Sequence, residues 1–293
     1  MNAPVGLFQP RLARRRRRGR VFAVACAGLG CLGVTVLSVL LVRVVREGSP
    51  WLTWRFLENF PSVLFPQKAG VKSALWGSLW LVGLTALVSV PCGVGAAIYL
   101  EEYAGKTRFS RFIQLNIANL AGVPSIVYGI LGLAVFVRWM TLGRSVIAGA
   151  LTMSLLILPV IIIASREALA AVPDSIRAAA YALGATRWQT IRSHVLPAAL
   201  PGIMTGVILA VSRALGEAAP LIMIGALTYV AFVPERLSDP FTTMPIQIYD
   251  WASRPQEVFR QLAAAGILVL LVVLLSLNAV AVALRAWQQR RRI

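Results

Sequence analysis

Apolar residues in this chain come in long blocks rather than in an alternating pattern. The blocks cover residues 21–42, 71–100, 113–137, 145–164, 199–219 and 262–284. A helix needs about 20 such residues to cross a bilayer. The pattern therefore predicts an all-α membrane protein with six transmembrane helices. Proline interrupts several blocks: Pro91 in the second, Pro124 in the third and Pro159 in the fourth. Each removes a helical donor. In lipid, a carbonyl freed in this way must face protein or a wet cavity. The fifth block runs on to Val233, longer than one span requires. Pro220 is expected to bend that helix, with a broken or re-entrant continuation behind it.

The stretches between blocks are unequal. Residues 43–70 mix Pro50, Pro61 and Pro66 with Trp51, Trp54 and Phe56, which suits an outer segment partly at headgroup level. Residues 138–144 read as a tight outer turn and 234–260 as an outer loop. Residues 165–197 are too polar to span and too long for a simple connection. There Asp174 and Ser175 are fair helix caps, and Ile176, Ala179, Ala180 and Leu183 recur at helical spacing. Gly184 breaks the helix, a second short one follows through Arg187, Trp188 and Ile191, and Pro197 starts the next span. The segment suits either an amphipathic helix lying on the membrane or a lever pushed by another protein.

Composition supports the membrane reading. Hydrophobic residues make up 58% of the 293, above the roughly 45–50% of soluble domains. The formal charge of +18 could signal nucleic acid. However, the arginines gather at the chain ends and between apolar blocks, which is an orientation signal. It places both termini, the turn holding Glu101, Glu102, Lys106, Arg108 and Arg111, and the 165–197 segment in the cytoplasm. The layout is then a basic tail (1–20), a first helix with its outer segment (21–70), a transmembrane domain (71–284) containing the cytoplasmic loop 166–197, and a second basic tail (285–293). The first tail is expected to be disordered. The first apolar block is too long for a signal-peptide core and no cleavage motif follows it.

Candidate chemistry is sparse. Cys26, Cys31 and Cys92 lie in apolar runs without metal or redox spacing and are expected to be buried thiols. His194 is the lone histidine. It suits an interfacial residue or a pH sensor, and no catalytic dyad or metal cluster can be assembled around it. No GxxxxGK[ST] phosphate loop is present, so the chain is not its own ATPase by that mechanism. The exception is Arg213 with Glu217. They lie four residues apart, hence on one helix face. An ionised side chain at mid-bilayer costs about 2.5–3.5 kcal/mol on insertion scales. The pair is therefore either an internal ion pair that orients the fifth helix or part of a wet path for an anion, which a guanidinium can grip with two parallel bonds.

Two groups of residues carry a resemblance. Ala179, Ala180, Gly184, Leu196 and Pro197 stand in the register of the EAA loop of ABC-transporter permeases. Ala178 replaces the usual glutamate and His194 the usual isoleucine, and Arg177 beside Ala178 is a further candidate contact. The words AGVPSIVYGI (121–130), RALGEAAPLIMIGA (213–226) and PIQIYDWASRP (245–255) resemble the PstA family of phosphate ABC-transporter permeases. The likeness spans about 71–284. It implies the type I (MetI-like) permease architecture and a transport subunit that is not itself an enzyme. The implied partners are a PstC-like second permease, two PstB-like ATPase subunits that bind ATP and magnesium, and a PstS-like phosphate-binding protein outside. It also implies Arg213 and Glu217 on the substrate path, with Pro124, Ser125 and Tyr128 as further candidates that are equally compatible with packing around a kink. A permease for another oxyanion or small solute, and a non-transport membrane scaffold, remain the alternative readings.

Overall fold

The computed structural model describes residues 12–105, 107–226 and 229–290. Residues 1–11, Lys106, and Arg291 and Arg292 in the second basic tail lie outside the described residues. Among the described residues the secondary structure is helix and turn only. The helices are α1 (Leu12–Gly48), α2 (Trp54–Glu58), α3 (Lys72–Ile98), α4 (Arg108–Ala121), α5 (Ser125–Gly132), α6 (Val146–Ala170), α7 (Asp174–Ala182), α8 (Arg187–Thr190), α9 (Leu196–Gly216), α10 (Ala219–Ile224), α11 (Met244–Ala252) and α12 (Glu257–Arg290). Five helices are long and apolar enough to cross a membrane, or up to six if one bent pair is counted as a single span.

α6 is the axis of the bundle. In its most apolar stretch 67% of the residues are buried, the highest share among the spanning helices. It lies between α3 and α9. Against α9 the contact is made by small residues on both sides. Gly202 and Gly206 face Ala168 and Ala164, and a Cβ placed on Gly202 would sit 2.8 Å from the Ala168 methyl. The Gly-x-x-x-Gly spacing thus lets two backbones approach, as small residues do in membrane interfaces. Gly206→Leu is expected to destabilise the bundle by about 1–3 kcal/mol through overpacking. A lowered unfolding midpoint of the purified protein would check it. Against α3 the seam includes buried hydroxyls: Thr85 Oγ1 donates to the Ala150 carbonyl at 3.4 Å, and Ser154 Oγ to the Thr85 carbonyl at 3.3 Å.

Three apolar clusters follow one another along α3. The first joins Phe56, Ala74, Trp251, Phe259 and Leu262 near its start. The second joins Leu81, Met153, Ile157, Ala214, Leu221 and Phe241 at its middle. The third joins Ala97, Leu100, Leu169, Val195 and Ile203 at its end. Burial of this kind within the chain leaves the outward faces apolar: Leu87, Val272 and Leu275 are all more than 60% exposed. That is the surface expected of a bundle bathed in lipid.

Several expectations need correcting. The third block is not one continuous helix. α4 and the helical stretch Ser125–Trp139 meet at a bend of 100°. Gly122 to Pro124 forms the break, because proline at 124 disfavours the α conformation at the residue before it. Residues 234–260 are not simply a loop. They contain α11, whose Met244, Ile246 and Trp251 are buried and whose first amide donates to Ser78 Oγ at 2.8 Å. Trp51 and Phe56 pack into the protein rather than lying free at headgroup level: Trp51 Nε1 donates to Gln261, and Phe56 lies 6.1 Å from the Trp251 ring. Trp54 does stay exposed. The helix of α1 begins at Leu12, so the arginine run is helical from there. Finally, all three cysteines are exposed. They stand on helix faces turned away from the chain's own core, where an apolar position meets the surrounding medium.

Candidate functional site

Two broken helices meet in this fold. α9 ends at Gly216, and Glu217 adopts extended angles (φ −83°, ψ 122°) before α10 begins at Ala219. Pro220, in the first turn of α10, has no N–H to give back to the α9 ladder, which favours the interruption. Gly225 then closes α10 in the left-handed region (φ +83°). On the other side, α5 begins immediately after Pro124. The two half-helices pack closely: a Cβ on Gly129 would lie 2.7 Å from Cα of Pro220 and 2.7 Å from Cβ of Met223.

Arg213 and Glu217 flank the α9 break. Arg213 Nε donates to Glu217 Oε1 at 3.3 Å, with the side chains 50% and 21% exposed. The contact is long for a charge-assisted bond, which usually spans about 2.7–2.9 Å. The Arg213 Nη1 and Nη2 groups make no hydrogen bond among the described residues. The pair therefore opens outward from this chain, with the terminal fork of the guanidinium uncommitted. A half-exposed arginine in a spanning helix is costly against lipid, so this face suits a second subunit or water.

The other path candidates separate. Pro124 is exposed and Ser125 half-buried at the α5 break. Tyr128 is 6% exposed, and its hydroxyl donates to the Leu120 carbonyl at 2.8 Å. That bond spans the bend and adds a side-chain donor to a carbonyl that the Val123 amide also reaches at 3.0 Å. Tyr128→Phe is expected to cost about 0.5–1.5 kcal/mol and to loosen the bend, seen as faster amide exchange at 121–128.

The 166–197 segment is held inward by arginines. Arg177 Nη2 donates to Glu102 Oε1 at 2.8 Å and to the Leu169 carbonyl at 3.0 Å, while Nη1 reaches the Val172 carbonyl at 2.7 Å. Its side chain is 15% exposed and that of Glu102 only 6%. The hydrogen bond to Glu102 is the main reason the guanidinium pKa rises above its usual value. Since that value already lies far above neutrality, the Arg177 guanidinium stays charged throughout the physiological range. Arg166 makes a parallel contact to Glu101 at 3.2 Å. Arg177 therefore points away from the exposed face.

That face is smaller than the spacing suggested. Ala180 is buried and Ile176 half-buried, whereas Ala179 is exposed and Leu183 is 89% exposed. Gly184 has φ +80° and ends α7, and a capping box between Thr186 and Gln189 starts α8. Trp188 is 53% exposed beyond it. Leu196 and Pro197 are half-buried at the start of α9, and His194 is exposed just before them. Gly184→Val forces a β-branched residue into left-handed angles, at roughly 1–2 kcal/mol. Loss of partner stimulation with an unchanged fold, by circular dichroism, would be the result.

The family model described as "Binding-protein-dependent transport system inner membrane component" matches residues 89–293. The chain belongs to this family. As a binding-protein-dependent transport component it is a membrane-embedded permease of an ABC importer, not an enzyme, and it works with an ATPase and a binding protein. The "Phosphate transport system permease protein PstA 1" of Mycobacterium tuberculosis (strain ATCC 25618 / H37Rv) is 34% identical over 98% of this chain and 93% of its own length. The "Phosphate transport system permease protein PstA" of Haemophilus influenzae is 33% identical over 84% of this chain and 86% of its own. Among solved structures, a bacterial alginate ABC transporter in complex with an alginate pentasaccharide-bound periplasmic protein matches with a TM-score of 0.66 at 16% identity, over 92% of this chain and 96% of that one. This last likeness concerns the fold.

Proposed function

We propose that this chain is one of two permease subunits of an ATP-driven phosphate importer. It receives inorganic phosphate from a PstS-like binding protein and releases it into the cytoplasm. A PstC-like permease completes the path, and two PstB-like subunits bind ATP and magnesium. The protein sits in a bacterial inner membrane with both termini cytoplasmic, as the arginine distribution favours. The exposed Ala179, Leu183, Gly184 and Trp188 form the face that receives the ATPase. Arg177, Ala180, Leu196 and Pro197 position that face from behind.

The observation that carries the reading is the open fork of Arg213 at the α9 break. Its planar donors match two oxygens of an oxyanion. Glu217 lowers the local positive charge so that the anion can leave. A carboxylate there also favours an anion that still carries a proton, as hydrogen phosphate does at neutral pH and sulfate does not. Similarity to PstA permeases from two organisms supports phosphate as the cargo.

The test is phosphate uptake and phosphate-stimulated ATP hydrolysis in proteoliposomes holding all four components. Glu217→Gln should lower phosphate uptake and narrow the preference over sulfate. Intact uptake with unchanged selectivity would remove Glu217 from the path. Stimulation by another oxyanion alone would keep the permease and replace its cargo.

A further inference from the structure

At the end of the bundle that carries the 166–197 segment lies a cavity of about 380 Å³ that transport through α9 does not use. It opens between the turn after α3, the first half of α4, the end of α6 and the start of α8. Arg111, Arg166, Arg187, Thr107, Ser110 and Gln114 are among its lining residues. Glu101 and Glu102 also reach it, but both are engaged: Glu101 by Arg166 at 3.2 Å and Glu102 by Arg177 at 2.8 Å. Arg111 and Arg187 have no carboxylate partner among the described residues. The Arg187 guanidinium is held over the Tyr103 ring at 5.1 Å, so one free cation is already positioned.

The neutral lining is rich in donors. Thr107 Oγ1 accepts from the Ser110 amide at 3.1 Å, and Ser110 Oγ accepts from Gln114 Nε2 at 3.0 Å. Each hydroxyl therefore has its acceptor side used and its hydrogen free to donate. Two uncommitted guanidinium groups beside two donor hydroxyls suit a tetrahedral anion with several oxygens better than chloride, which has no directional lone-pair geometry. On the opposite side of α4, Phe109 and Phe112 are 72% and 62% exposed. That amphipathic split lays α4 along an apolar–polar boundary. Both the aqueous phase and lipid headgroups can reach the cavity from there.

We propose that this cavity binds a phosphate group, gripped by Arg111 on α4 and Arg187 on α8. The bound group ties α4 to the short helix that follows Gly184. It thereby stiffens the loop through which the ATPase acts. Free inorganic phosphate and an anionic lipid headgroup share this chemistry. The site is separate from the Arg213 path and does not depend on which solute is carried.

The experiment uses the complex of this chain with its partner permease and ATPase, in neutral detergent with zwitterionic lipid, in an Arg213→Ala background. The unfolding midpoint of the chain is followed as inorganic phosphate is added, against chloride at equal ionic strength. A second arm replaces the zwitterionic lipid with phosphatidylglycerol at fixed buffer. A saturable upward shift is expected in at least one arm. Arg111→Gln with Arg187→Gln should weaken the apparent affinity at least tenfold. Co-purification with both partners shows that the double variant has folded, and Arg111→Gln alone carries the test if it has not. A shift in the phosphate arm identifies free phosphate, and one in the lipid arm alone identifies a headgroup. No shift beyond chloride in either arm, or an unchanged response in the variants, overturns the site.

Discussion

Replacing Arg213 with alanine should abolish phosphate uptake while leaving the complex assembled. The side chain is half exposed and its one polar partner among the described residues is Glu217 at 3.3 Å. Little of the fold leans on it. Its neighbours Ala214 and Leu215 are buried in the bundle and hold α9 without it. What is lost is the fork proposed to meet the anion. A bidentate charge-assisted contact of about 1.5–3 kcal/mol corresponds to tenfold or more at each passage, and the unpaired Glu217 carboxylate left behind would repel the anion as well. Uptake is expected to fall to background, with normal co-purification of the ATPase. Arg213→Lys should recover only part of it, because an ammonium lacks the planar fork. Loss of assembly in the alanine variant would instead make the pair a structural strut.

The second large effect is expected at Arg177. This residue joins the loop to Glu102, 75 positions earlier, and to two backbone carbonyls. Arg177→Ala leaves a carboxylate that is 6% exposed without its cation. Breaking a buried pair from one side costs about 3–5 kcal/mol. The damage is local, since α7 has few other anchors: Ala180 is its sole fully buried residue. The expected outcome is a complex that still inserts in the membrane but shows ATP hydrolysis unresponsive to the binding protein. Limited proteolysis within 171–186 should speed up in parallel. A double change, Arg177→Met with Glu102→Gln, removes both charges and should recover protease resistance. If it recovers neither resistance nor coupling, the arginine serves the ATPase contact directly.

Hydropathy made most of the fold legible. α3, α6, α9 and α12 lie where apolar blocks announced them, and the continuation beyond Pro220 is broken as expected. The 100° bend was not legible in the same way, because averaging over 113–137 conceals a change of partner. The signal was present in Arg108, Arg111 and Gln114, which recur every three residues and put polar side chains along one face of α4. α11 was hidden by its flanking prolines and by Asp250. Its burial depends on Ser78, far off in sequence. At the site, the spacing of Arg213 and Glu217 was enough to find the pair. No local pattern could show that Arg177 turns inward or that the Tyr128 hydroxyl is committed to Leu120. Both depend on partners that only folding supplies.

None of the three apolar clusters includes a residue of α1. The most apolar stretch of that helix buries nothing within the chain, and it is pinned where Gly48 meets the backbone of Ala264 and Ala265. Residues 21–42 are thus under little constraint from shape. Exchanges there among Leu, Val, Ala and Cys meet no buried neighbour within the chain, whereas along α6 most such exchanges would disturb a packed one. Cys26 and Cys31, both exposed on this helix, offer attachment points for a probe that reports on what surrounds α1.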